Sequence, residues 1–136
     1  MSILSGCITV ASAAIIDAGI DCVDLVTGGV AAIVRQPSMP LQIVLDPSPS
    51  DQGEIIAACV IGYLQSRDEV TELWAKGNMV QANGKASQAL GFEPLVDRAV
   101  EAAMTARLVL LEAIKEATES KIQSNWPQVS EKAVAM

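Results

Sequence analysis

At 136 residues the chain has the size of one domain, and 51% apolar against 18% charged residues requires a packed core. Aromatics are only 3%, so Ala, Val, Ile and Leu must build that core. A formal charge of −7 argues against a stand-alone nucleic-acid binder, which needs a basic surface. The lack of histidine removes Ser-His and Cys-His nucleophile systems and His-ligated metals.

No apolar run reaches the ~18 residues that a membrane span needs, so no membrane partner is expected. The start, MSILSGCITVASAAII, has no Lys or Arg ahead of it and no convincing cleavage site, so a secretory signal is not expected either. Cys7, Cys22 and Cys59 are an odd number without CxxC spacing, each among apolar neighbours. They read as three buried thiols of a reducing compartment.

The first element is a helix over Ser5 to Ala18, with Ile8, Ala11, Ile15 and Ala18 on one face. Ser2 or Ser5 suits its start, and Gly19 suits a left-handed stop. Cys22 to Arg35 reads as one long strand, or as two interrupted by a bulge or bend at Gly28-Gly29. Phosphate binding by the glycine pair is disfavoured, because no helix start follows it. QPSMP is a turn, Leu41 to Asp46 a short strand and Pro47 to Gly53 a loop. Glu54 to Leu64 is an almost unbroken apolar run and reads as a strand buried on both faces. Arg67-Asp68 is the turn into a hairpin partner, Glu69 to Lys76.

Gly77 to Gly91 is a loop of small and polar residues. A long helix follows, about Glu93 to Ser120, with Pro94 in its first turn and Glu93 and Asp97 near its positive end. Its apolar stripe is Val96, Ala99, Ala103, Ala106, Leu110, Ile114 and Ala117. The fold class is therefore α+β: a mixed or antiparallel sheet of about four strands, with both helices on one side. Residues 1–122 form the domain and 123–136 a flexible tail.

The segments GCITVASAAIIDAGIDCVDLVTGGVAAIV, LQIVLDPSPSD and EIIAACVIGYLQSRDEVTELWAKGNM, followed by the long helix, resemble the second half of the RNase PH fold. More narrowly, they are similar to the eukaryotic exosome ring subunits built on that fold. The resemblance covers roughly residues 5 to 120, and DAGI and the LDPSPSD loop are its more specific parts. It implies an absent first half. Such a half-domain exposes apolar surface that its other half would cover, which favours self-association.

Active members of the family hold phosphate with a Gly-Thr-Arg motif at the start of this first helix. Counting back from AIIDA, the Arg position falls on Leu4, which has neither charge nor donor. Active members also carry acidic residues after the second strand, and Asp46 and Asp51 occupy that region here. Two carboxylates on one loop can bind Mg²⁺. Equally, Asp46 can serve the turn before Pro47 while Asp51 is solvated. Without a cationic seat for phosphate, phosphorolysis fails. The resemblance thus implies a degenerate former active-site region (Leu4, Asp46, Asp51), with no catalytic residue, no cofactor and no metal.

It further implies a non-catalytic ring subunit of the exosome core, in the nucleus, nucleolus and cytoplasm. Its partners would be homologous RNase PH-like ring subunits and cap proteins, and RNA reached indirectly through the ring channel. Arg35 and Arg67 are the candidate RNA contacts, and Trp74 and Trp126 the candidate stacking residues, with Trp74 expected in the core or an interface. The alternatives are a fragment of an active phosphate-dependent 3′-to-5′ exoribonuclease and an unrelated small α+β interaction domain.

Overall fold

The computed structural model describes residues 2–37, 39–48, 53–77 and 91–125. Helix α1 spans Ser2–Asp17, followed by strands β1 (Val26–Arg35), β2 (Gln42–Leu45), β3 (Glu54–Leu64) and β4 (Glu69–Gly77). A single 3-10 turn, Gln65–Arg67, joins β3 to β4, and helix α2 spans Phe92–Asn125. The strand order is β2-β1-β3-β4. Every neighbouring pair is antiparallel, so the sheet is not mixed. Met79, Trp126 and most of the expected 77–91 loop and 123–136 tail lie outside the described residues.

The core sits between the sheet and α2. Thr27, Ala31 and Ile33 of β1 face the same way as Cys59, Ile61 and Tyr63 of β3, by alternation and register. Leu95, Ala99 and Ala103 of α2 close over this face, each fully buried. The opposite face carries a smaller cluster of Ala32, Val34 and Ala58. Both faces of β1 and β3 are buried, as their near-continuous apolar sequences require.

The glycine pair does not interrupt β1. A Cβ on Gly29 would overlap the Ala99 carbonyl oxygen of α2, and one on Gly28 would overlap the Ser5 backbone of α1. The pair therefore lets two helices approach one strand closely. The register irregularity in β1–β3 lies further along, between Ile33 and Val34.

Helix α1 departs from the expected arrangement. It does not lie over the sheet on the Ile8–Ala11–Ile15–Ala18 stripe; Ile15 is 42% exposed, and Ala11 and Ala18 are exposed too. Instead it runs along the margin of β1 that β2 leaves uncovered, since β2 pairs only with Ala31 to Val34. The Val26 N–H donates to Ser12 Oγ (3.0 Å) and the Gly28 N–H to Thr9 Oγ1 (2.9 Å). The Thr9 hydroxyl in turn donates to the Ser5 carbonyl (3.1 Å). Two hydroxyls thus do for this stretch what a neighbouring strand would do, satisfying N–H groups that otherwise lack partners. The helix stops at Gly19 as expected, with φ at 70° and its N–H on the Ile16 carbonyl.

Two other expectations are corrected. Cys59 is buried, but Cys7 and Cys22 are exposed, one on the outward side of α1 and the other in the link to β1. Of the core or interface expected for Trp74, the core is overturned: it is 41% exposed, because β4 is an edge strand whose residues are all exposed.

Candidate functional site

Three elements converge on one cleft of about 330 Å³, lined by Ser2, Ser5, Gly6, Thr9 and Val10 of α1, Gly28 to Val30 of β1, Asp46, and Ala102 and Ala106 of α2. Its position follows from the helix docking just described. The glycine pair brings both helices onto β1, and only small residues remain where they meet. Its walls are mostly apolar. The polar groups are the three hydroxyls and the Asp46 carboxylate, and no basic side chain lines it among the described residues.

Asp46 follows β2 with φ at 43°, a left-handed conformation that Asp and Asn tolerate best among the larger residues. Its N–H donates to the Val30 carbonyl (3.0 Å), which fixes the turn against β1. Its Oδ1 accepts the Ser2 hydroxyl (2.6 Å). A carboxylate therefore stands at the first turn of α1, where the resemblance implied a phosphate-binding arginine in active enzymes. Leu4 is brought elsewhere. At about 100° per residue, it projects on the opposite side of α1 from the lining residues Ser2, Ser5, Gly6 and Thr9. The structure joins Asp46 to Ser2 and not to Leu4; Asp51 lies outside the described residues.

The two candidate RNA contacts are also kept apart. Arg35 closes β1 and reaches Glu54 at 3.6 Å, with both side chains largely exposed. Arg67 ends the 3-10 turn at the other end of β3, exposed. The length of β1 separates them, about 30 Å at 3.3 Å per residue, so they do not form one patch. Among the described residues no group of three or more Cys, Asp or Glu side chains is placed to hold a metal. No helix is long and apolar enough to cross a membrane among the described residues.

One electrostatic feature outside the cleft is Asp24, just before β1. It accepts from Arg107 Nη2 (2.9 Å), the Leu25 N–H (2.8 Å) and the Ser66 N–H (3.0 Å). Burial alone would raise its carboxyl, but these hydrogen bonds and the guanidinium charge outweigh burial and hold it below the ordinary range. The Asp24 and Arg107 side chains are 12% and 20% exposed. Sequence reading missed this pair, because 83 positions separate its members. A second anchor is Tyr63, whose hydroxyl donates to Asp68 Oδ1 (2.6 Å). That bond first, then burial and the Asp68 charge, raise the phenol above its usual value. Neither pair is part of the cleft lining.

The chain is 48% identical over 116 residues to the protein called exosome complex component MTR3 of Chaetomium thermophilum. It is 32% identical over 116 residues to exosome complex component mtr3 of Schizosaccharomyces pombe. The chain is a homologue of these MTR3 exosome components. The matches cover 85% and 84% of this chain but only 39% and 41% of the relatives, so the chain spans about two fifths of their length. No protein-family model matches. The α+β layout with its N-terminal and long C-terminal helices is the one expected of the second half of an RNase PH-type fold, and MTR3 homology agrees with the exosome resemblance.

Proposed function

We propose that the chain is part of a non-catalytic subunit of the exosome core ring. It would assemble with homologous RNase PH-like subunits and cap proteins and support 3′-to-5′ RNA processing by an associated nuclease, in nucleus, nucleolus and cytoplasm. The carrying observation is the sign of the cleft: it holds Asp46 and hydroxyls where orthophosphate would need a cationic seat. An anion brought there meets a carboxylate and no counter-charge. MTR3 homology supports the assembly part of the reading. The remaining length of the relatives would cover the apolar outer side of α1, where Ile3 is 83% and Leu4 45% exposed. Arg35 and Arg67 would touch RNA only singly, at the periphery.

The test is a polyadenylate-plus-orthophosphate assay on the full-length protein, alone and with exosome subunits. The expected result is no nucleoside diphosphate released by the protein alone, together with stable co-assembly. Phosphate-dependent shortening of the RNA by the protein alone would instead establish the phosphorolytic alternative. Failure to co-assemble would count against the ring-subunit reading.

A further inference from the structure

The same cleft has a shape and polarity that favour a ligand of the opposite sign. Its floor is Gly28 to Val30 and its far wall Ala102 and Ala106, all small or apolar. Its polar end is Asp46, exposed to solvent, with the hydroxyl of Ser2 on one carboxylate oxygen. An apolar slot ending in a carboxylate matches an aliphatic stem carrying a cation, the geometry by which Lys and Arg side chains bury their methylenes and keep the charged end at the surface.

We propose that the cleft receives a basic side chain, Lys or Arg, from a neighbouring polypeptide, with its charge on Asp46 and its stem against Gly29 and Ala102. The proposal rests on the reading of the chain as part of an assembled subunit. A free amine is the weaker candidate. An exposed ion pair contributes little, and a few methylenes do not offset the loss of free motion on binding, so affinity falls to the order of millimolar. A side chain delivered by a polypeptide docked elsewhere does not bear that loss again. The net charge of −7 favours a basic neighbour over a second copy of this chain.

The probe is n-butylammonium, titrated into the isotopically labelled 136-residue chain while the Gly28, Gly29 and Asp46 amides are followed by NMR. Those amides are expected to shift and saturate in the millimolar range, and to do so neither with orthophosphate nor in Asp46→Asn, which keeps the left-handed backbone comfortable. Ala102→Leu, which fills the slot, is expected to abolish the shifts as well. In co-assembly with exosome subunits, Asp46→Asn is expected to weaken association about threefold. The proposal is overturned if butylammonium leaves these amides unmoved or moves them equally in Asp46→Asn. It is also overturned if the wild-type chain and the variant assemble with equal affinity. Loss of assembly by the wild-type chain would instead remove the exosome reading, a separate outcome.

Discussion

Arg107 of α2 and Asp24 at the entrance to β1 meet at 2.9 Å, and this contact ties the midpoint of the long helix to the start of the central strand. Asp24 also accepts the Ser66 N–H, so one carboxylate fastens α2, β1 and the β3–β4 turn. Arg107→Met leaves a largely buried carboxylate without its counter-charge, and is expected to destabilise the fold by about 3 kcal/mol in urea unfolding. Asp24→Asn keeps part of the hydrogen bonding and should cost less. An equal or smaller loss in Arg107→Met than in Asp24→Asn would show that the charge is not what matters.

The same carboxyl makes a pH prediction. Its folded-state pKa is depressed, so its stabilisation is complete above the ordinary aspartate range near 4 and is lost as pH falls through the lower folded-state value. Wild-type stability is expected to fall progressively as pH drops below about 5, with a shallower slope in Arg107→Met. Parallel slopes in the two proteins would assign acid sensitivity to other carboxylates.

The close approach at Gly29 makes a steric prediction. Gly29→Ala places a methyl group against the Ala99 backbone, so α2 must move, with an expected loss of about 2–3 kcal/mol. Gly6→Ala is the contrast: open space surrounds it on α1, and helix propensity predicts a gain of up to about 1 kcal/mol. Thermal unfolding of the two variants should therefore move in opposite directions.

The hydroxyls of α1 are expected to protect strand N–H groups. Ser12→Ala removes the acceptor for Val26, and Thr9→Val that for Gly28. Each change should cost about 1–2 kcal/mol, with faster hydrogen exchange at the matching amide. Unchanged exchange would mean that water serves the margin equally well.

Apolar exposure predicts self-association of the isolated chain. Ile3 and Leu108 are 83% and 67% exposed on the two helices. Sedimentation of the wild-type chain should depend on concentration, and Ile3→Glu with Leu108→Glu should shift it toward monomer. A wild-type chain that stays monomeric at high concentration would count against an incomplete surface.

Much of the fold was legible in the residues, for physical reasons that differ by element. Strand β3 coincides with the expected Glu54 to Leu64, because its apolar run is bounded by a proline-rich loop and a polar turn. The glycine stop at Gly19 was equally plain. The docking side of α1 was not. The helix is apolar on several sides, so periodicity could not select one, and the side that packs carries Ser5, Thr9 and Ser12. A regular hydroxyl spacing at 2, 5, 9 and 12 was the available signal. At the cleft, the Ser2 partner of Asp46 is 44 positions away, and no local pattern announces it. Leu4 was placed by counting along the chain, which says nothing about the side of the helix on which a residue emerges.

Helix α2 has 34 residues, about 51 Å of rod at 1.5 Å per residue, whereas β1 has ten residues and measures about 30 Å. Arg107 marks the end of the sheet, so the portion from Leu108 onward is a cantilever of about 27 Å. Its lateral brace is α1, through the Lys121–Asp17 ion pair, while Ile114 faces Ala13 and Ile16 across a small cavity. Such a beam bends most at its free end, and salt loosens its outer strut before its root.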